Sequence, residues 1–591
     1  MAAKCLGLDA LGKTYVALQG SSDEPICERL LRELRVDYRV PDRDLQHIPT
    51  KGPVVLVANH PYGVLDGAVL ATILKKIRPD VRFLANGVLA AIPEIQDLLI
   101  GVDILGQSNG TTRNSSALRK CIEFVTNGGC LIVFPAGEVS HFQVRKFAVA
   151  DGAWVAGIAR MIAAVARSGV ALSIVPVHVE GSNSVLFQTA GVVHSRLRTL
   201  LLARELLNKK QTVVKLRFGS AIDSQKLLDI PTNAERMDYL RWRSDLLARR
   251  AAYKPNLKRP FLRRRRSEAE RIAEAVDAQA CSAEISSLPA EDLLLTSGDF
   301  RVYIASSARI PQVLREIGRL RELTFRAAGE GTGKSIDQDE FDSLYLHLFL
   351  WNDARREIVG AYRIAQTDTI RRRRGVKGLY TATLFEYGEV FLDKMGPALE
   401  LGRSFVRTEY QRSFSALLLL WKGIGKFLAR NPRYRILFGP VSISNEYEAV
   451  SRNLMLKFLE KRAWLSEWAG FVSSRTPIKP GRNSEVHIPT GFDLDDLSGT
   501  VTDLEQGRAG IPVLLRQYLR LGGRLLGFNL DASFNNAVDG LIVVDLTKTD
   551  RKLLERYLGK AEATEFLQWN SGGNTAASLM DCVGEPQRRP C

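Results

Sequence analysis

The chain is poor in the residues that would staple it covalently or hold a metal. Seven cysteines in 591 residues, an odd number with no Cys-x-x-Cys spacing, exclude a zinc ribbon and argue against a disulfide framework; they read as reduced thiols. Histidine is as scarce, at seven, so each one is worth testing for chemistry. Long apolar runs are missing too. The best stretch, Ala153 to Val179, is interrupted by Arg160, Arg167 and Gly169, and two arginines near a bilayer centre cost roughly 5 kcal/mol on insertion scales. The start, Met1-Ala-Ala-Lys-Cys-Leu-Gly, lacks the basic segment and apolar core of a secretory signal. A cytoplasmic protein is expected, reaching lipid only from the surface.

What is present is ordinary globular material with a basic excess. Apolar residues make up 45% and charged residues 25%, and 82 Lys+Arg against 65 Asp+Glu give +17. The length calls for more than one core, and the charge points to acidic partners: nucleic acid, an anionic membrane or an acidic carrier protein. No nucleic-acid-binding module accompanies it, so nucleic acid is not expected.

From 53 to 220, β-rich runs (Val54–Ala58, Val81–Leu84, Cys130–Phe134, Leu172–Val179, Val213–Phe218) alternate with helical patterns, which predicts an α/β domain with a largely parallel sheet. A basic helical stretch follows, ending in Arg263 to Arg266, a pattern suited to anionic head groups. A second mixed region has expected strands at Glu357–Arg363, Tyr387–Leu392, Ile436–Val441 and Leu541–Asp545, and helices at Ile310–Arg326, Phe414–Ala429, Glu448–Arg462 and Ile511–Leu521. The expected division is 1–250, a basic helical linker 251–297, a second domain 298–575 and a flexible tail 576–591.

The most informative residues are His60 and Asp66, in Ala58-Asn59-His60-Pro-Tyr-Gly63-Val-Leu-Asp66. A buried strand delivers an imidazole, and a turn brings a carboxylate near it, the arrangement of a general base acting on a hydroxyl or amine. Three further motifs follow in order: Phe83-Leu-Ala-Asn86, Phe134-Pro135-Ala-Gly137-Glu138-Val-Ser140 and Ile174-Val-Pro176-Val-His178. The series resembles the glycerolipid and lysophospholipid acyltransferases over about residues 50–220. The resemblance implies that His60 is the base, Asp66 orients it, and Asn59, Gly63, Asn86, Pro135, Gly137, Glu138 and Pro176 line the substrate site. Two departures stand out. Five residues rather than four separate His60 from Asp66, an excess Gly63 could absorb. Val139 replaces the arginine associated with an acceptor phosphate, beside a carboxylate at Glu138, which favours an acceptor carrying an amine rather than a phosphate. Arg145 and Lys146 are the other nearby source of positive charge, and His141 and His178 read as structural or rim residues.

The second half has its own series: Arg321-Glu-Leu-Thr-Phe325, Asp339-Glu-Phe-Asp342, Arg363 at a strand end and Glu400-Leu-Gly-Arg403. It resembles the hemolysin-like branch of the GNAT superfamily, which contains ornithine and glycine N-acyltransferases, and the acyl-homoserine-lactone synthases. That resemblance implies Glu400 as base, directly or through water, and Arg321, Phe325, Asp339, Asp342, Arg363 and Arg403 as substrate-binding residues, with Arg363 or Arg403 on the acceptor carboxylate. Tyr410-Gln-Arg-Ser-Phe-Ser lacks the Arg-Gly-x-Gly-x-Gly pyrophosphate loop, so acyl carrier protein is the expected donor in preference to coenzyme A, with Arg371 to Arg374 as a docking patch. No bound cofactor or metal is expected.

Together the halves resemble bifunctional ornithine lipid synthases. The fold implied is an acyltransferase-type α/β domain joined to a GNAT-like mixed α/β domain. The activity implied is N-acylation of ornithine with a 3-hydroxyacyl group, then O-acylation of the lyso-ornithine lipid at the inner face of the cytoplasmic membrane. Glycine or another amino acid as acceptor, and a non-catalytic membrane- or carrier-binding protein, are the alternatives.

Overall fold

The computed structural model describes residues 8–19, 24–102, 110–144, 147–193, 195–250, 269–388, 390–411, 414–478 and 486–580. The chain divides into two compact units, Met1–Ala252 with His487–Gly510, and Tyr253–Val486 with Ile511–Cys591. Residues 487–510, expected inside the second domain, therefore cluster with the first. The basic run Arg263 to Arg266, Arg145 and Lys146 lie outside the described residues. Residues 269–277 are without helix, and the last helix, Lys560–Met580, passes the expected start of the tail.

The first unit is organised by an eight-stranded sheet. Its strands are β1 (Asp37–Arg39), β2 (Val54–Ala58), β3 (Val81–Asn86), β4 (Leu99–Val102), β5 (Cys130–Val133), β8 (Ser173–Glu180), β9 (Val213–Phe218) and β10 (Ile222–Asp223), while β6 (His141–Gln143) and β7 (Ala148–Ala150) form a separate hairpin. The order is β1-β9-β8-β2-β5-β3-β4, with β10 on β8. Pairing is parallel except at β8–β9 and β8–β10. Central β2 and β5 are buried along their whole length, which is why they read as unbroken apolar runs. The candidate membrane stretch resolves into the helix Ala156–Arg167, apolar on one face, followed by β8. Among the described residues no helix is long and apolar enough to cross a membrane.

The second unit carries another eight-stranded sheet. Its strands are β11 (Leu293–Ser297), β12 (Phe300–Ser306), β13 (Leu346–Asn352), β14 (Glu357–Gln366), β16 (Ala398–Val406), β17 (Ile436–Ile443), β19 (Arg524–Asp531) and β20 (Ala537–Asp545), in the order β11-β12-β13-β14-β16-β17-β20-β19; β15 (Phe385–Tyr387) and β18 (Val472–Ser474) pair with each other. All neighbours are antiparallel except β16 and β17, which pair only over Ala398–Ile436, Leu399–Leu437 and Glu400–Phe438. Both strands run on beyond that point, β16 to Val406 against β14 and β17 to Ile443 against β20. The sheet is therefore open between them. The strand expected at Tyr387–Leu392 is instead the end of β15 and a short helix, Phe391–Met395. There the apolar residues fill a core with Phe385 and Met395, and that tertiary burial overrides strand propensity.

Candidate active sites

In the first unit, β2 ends at Ala58, and the chain turns through His60 to Gly63 into the helix Val64–Lys75. Gly63 adopts φ +84°, ψ −128°, a conformation open essentially only to glycine, and it absorbs the extra residue of the loop. The pairing survives: His60 Nδ1 lies 2.9 Å from Asp66 Oδ2. The same oxygen accepts from the backbone N–H groups of Tyr62 at 2.8 Å and Gly63 at 3.0 Å. Asp66 thus caps its own helix and holds the turn that carries His60. It is fully buried, its Oδ1 has no hydrogen-bond partner among the described residues, and the contact with His60 Nδ1 is an ion-pair approach rather than a formed hydrogen bond. Burial raises the Asp66 carboxyl above its usual range, against the opposing pull of His60 and the two N–H groups.

The imidazole stacks on Phe134, with ring centroids 3.9 Å apart. Its backbone is tied on both sides, His60 N–H donating to Asp151 Oδ1 at 3.2 Å and His60 C=O accepting from Ser140 N–H at 2.8 Å. Asp151 also takes hydrogen bonds from the Ser140 hydroxyl and from Trp154 Nε1. The Phe134-Pro-x-Gly loop is thereby locked beside the histidine, and Nε2 is the nitrogen left to take a proton from an acceptor.

Other predicted residues fall in different places. Asn59 gives both amide functions to β8, donating to Val179 C=O and accepting from Val179 N–H, so it clamps two strands. Pro176 sits inside β8, its carbonyl accepting from Gly219 N–H. Gly137 turns the loop with φ +68°, and the Pro135 carbonyl accepts from Val155 N–H. Asn86 caps the following short helix and lines a cavity of about 860 Å³ with Arg82, Gly101 and Lys120. The reading of Glu138 as a carboxylate waiting for an ammonium needs correction. Its Oε2 accepts from Arg198 Nη2 at 2.6 Å, and Arg198 is itself buried, so a guanidinium already answers that charge. Sequence spacing gave no sign of a partner 60 residues away.

In the second unit, the helix Pro311–Ala327 supplies Arg321, which is wholly buried, its two terminal nitrogens donating to Asp342 and the Asp337 carbonyl and its Nε alone without a hydrogen bond among the described residues. Burial would raise the Asp342 carboxyl, but Arg321 and Arg363 outweigh it and hold it well below the usual range. Arg321 and Asp342 therefore brace the loop rather than face a ligand. Asp339 caps the short helix Glu340–Ser343 and pairs with both Arg363 and Arg403. Phe325 packs edge-on to Phe534.

Arg363 lies over the rings of Tyr345 and Tyr380, each 5.2 Å away. Its Nη1 donates to Asp339, but its buried Nε and Nη2 have no hydrogen-bond partner among the described residues. Arg403 lies in a β-bulge of β16 and is held at φ +47°. That left-handed turn is rare for a side-chain-bearing residue, and it brings the guanidinium onto Tyr380 (4.8 Å to the ring) and 3.2 Å from Asp337. Arg403 is thus engaged by Asp337, Asp339 and Tyr380, while Arg363 keeps two donors unused, the kind of group that suits a carboxylate. Glu400, expected as a base, is fully buried; Oε1 accepts from Thr381 N–H and Oε2 from the Tyr345 hydroxyl. Burial raises its carboxyl, and among the described residues its link to the site runs through Tyr345. Asp337, Tyr345 and Tyr380 were not singled out from sequence, because tyrosines and lone aspartates there carry no spacing signal.

Residues 26–251 match the family model described as Acyltransferase, and residues 320–422 match that described as Acetyltransferase (GNAT) domain. The glycine N(alpha)-acyltransferase of Bacteroides thetaiotaomicron is 33% identical over 43% of this chain and 80% of its own length. The L-ornithine N(alpha)-acyltransferase of Rhizobium meliloti is 28% identical over 46% of this chain and 88% of its length. The lyso-glycine lipid O-acyltransferase of Phocaeicola vulgatus is 28% identical over 34% of this chain and 70% of its length. With a histidine–aspartate pair in one unit and paired arginines in the other, the molecule is an acyltransferase of two fused domains, a lysolipid acyltransferase-like one and a GNAT one. It belongs to the family of amino acid N(alpha)-acyltransferases that includes the Bacteroides thetaiotaomicron enzyme, here joined to an O-acyltransferase-like partner.

Proposed function

We propose that the chain makes a diacylated amino acid lipid in two steps, with ornithine as the acceptor. In the GNAT unit, Arg363 and Arg403 hold the acceptor carboxylate. The α-amine loses its proton toward Glu400 by way of the Tyr345 hydroxyl and attacks the thioester carbonyl of a 3-hydroxyacyl group on acyl carrier protein. The amide forms and the carrier thiol leaves. In the first unit, His60 Nε2 takes the proton of the 3-hydroxyl, whose oxygen attacks a second acyl thioester, and the proton is returned to the departing thiol. Asp66 keeps the proton of the resting imidazole on Nδ1 and stabilises the imidazolium.

The observation that carries this reading is the pairing of His60 with Asp66 in one unit and the unpartnered donors of Arg363 in the other. One arrangement suits a neutral hydroxyl, the other an anionic amino acid. The basic surface supports work at the inner face of the cytoplasmic membrane, and exposed Arg372 to Arg374 support docking of an acidic carrier. A second reading keeps the chemistry and uses glycine, favoured by the 33% identity to a glycine enzyme against 28% to an ornithine one. Mass spectrometry of lipid extracts from cells expressing the chain decides: a phosphorus-free lipid with an ornithine head group is expected, and a glycine head-group mass selects the second reading. A His60→Ala variant accumulates the monoacyl lipid, whereas a Glu400→Gln variant loses both products. Unchanged lipids in both variants would sink the enzymatic reading.

A further inference from the structure

The arginine pair faces a group of acids that neither the motif series nor the mechanism above uses. On the sheet of the second unit, Glu400 pairs with Phe438 and with Ala365. Side chains alternate along a strand, so Arg363, two residues from Ala365, and Ser442, four from Phe438, share the face of Glu400. Ser442 is in register with Asp539 of β20, which is in register with Asn529 of β19. Arg363 and Asp539 therefore stand on one face, on opposite sides of the opening between β16 and β17. Tyr380 lies between the two groups, touched by both arginines and within electrostatic reach of Asp531 and Asp539.

Asp539 is 6% exposed, and its carboxylate has no hydrogen-bond or ion-pair partner among the described residues. The charges that act on it are Asp531 and Glu330, which oppose its ionisation, and Arg403, which favours it; burial dominates and raises it well above the ordinary carboxylate range. Glu330 accepts from the Ser442 hydroxyl at 2.7 Å, and Asp531 from Ser533 N–H at 2.8 Å. A buried acid without a partner is held in its neutral form by its surroundings, and a cation beside it is what lets it ionise and pair.

We infer that Asp539, backed by Asp531 and Glu330, receives the side-chain ammonium of the acceptor, so that the GNAT unit reads a dibasic amino acid at both ends: carboxylate on Arg363 and Arg403, distal cation on Asp539. This rests on the N-acylation reading above and adds to it the residue that selects the acceptor. A bound ammonium draws the proton off Asp539 to solvent and pairs with the carboxylate that results. An acceptor with no second cation gains nothing from Asp539, so the site ranks it below a dibasic one.

The test is initial-rate acylation by the full-length protein of ornithine, of 2-aminopentanoate (the same carbon chain without the δ-amine) and of glycine, with 3-hydroxyacyl thioesters of acyl carrier protein and of coenzyme A as donors. Wild type should prefer ornithine. Asp539→Asn should lower kcat/KM for ornithine by roughly 10- to 100-fold, as expected for loss of one charge-assisted contact, and leave 2-aminopentanoate and glycine within about threefold, which also shows that the variant folds. An equal loss on all three acceptors, no loss on ornithine, or a wild type that prefers the uncharged side chains overturns the assignment while N-acylation stands. A wild type that acylates none of the three overturns both.

Discussion

Single residues carry the strictest demands in this protein. Gly63 is held where a side chain is strained, and an added Cβ would meet nothing closer than Val139 at 3.4 Å, so the cost of Gly63→Ala is conformational, about 1–3 kcal/mol. Because Gly63 N–H is also a ligand of Asp66, the variant should lose O-acylation more than it loses stability; urea unfolding and monoacyl-lipid turnover measured together check this. His60→Ala should lower O-acylation about 10²- to 10⁴-fold and leave N-acylation unchanged. Two histidines that the chemistry does not use, half-buried His178 and buried His347, set a pH dependence. Burial pulls His178 in the first unit and His347 in the second down to about 4. Their folded values lie below the unfolded value near 6.5, so the stability they permit is complete above that pH. It is lost as pH falls from about 6.5 toward 4, by up to ~3 kcal/mol each. Urea midpoints at pH 7.5 and 5 should differ by more in wild type than in His347→Gln; an equal difference would exclude His347 as a source.

At the scale of elements, the helix Leu494–Leu504 matters most because it belongs to the first unit although its sequence lies in the second half. Asp503 is buried and accepts from Ser220 N–H and hydroxyl, with Arg243 Nη2 3.5 Å away; Tyr239 donates to Asp496 at 2.7 Å. Arg243 is 4% exposed, so Asp503→Ala leaves a buried guanidinium poorly matched and should cost about 3 kcal/mol. The expected readout is an earlier unfolding transition together with impaired O-acylation. Loss of N-acylation alone would contradict the assignment of this helix. The core strands were legible because a strand buried on both faces must be an apolar run, as Val54–Ala58 is. The misread strand at Tyr387–Leu392 has the composition of a strand, but its apolar residues cover the core through a turn and a helix.

Across the whole molecule the charge is basic, +17, and one exposed cluster carries part of it. Arg372 to Arg374 are exposed on the last turn of the helix Thr367–Arg374 and at its end. Changing the three to Ala should raise KM for an acyl carrier thioester by about tenfold at low salt, with the difference shrinking as ionic strength rises; a coenzyme A thioester should be little affected. An identical effect on both donors would remove the patch from carrier recognition.

The sequence by itself determined the two α/β cores, the order of motifs in each half, and the proximity of His60 to Asp66, because these depend on alternation along a strand and on residues a single turn apart. Only the tertiary structure decided which charges are already answered. Glu138 meets Arg198 across 60 residues, Arg321 is held by Asp342, and Glu400 is hydrogen-bonded by Tyr345 and Thr381. Arg363 keeps unused donors, and Asp539 stands unpaired opposite it. Chain folding sets those long-range pairings, and in a low-dielectric interior a buried group meets a substrate through the donors and acceptors that folding leaves unused.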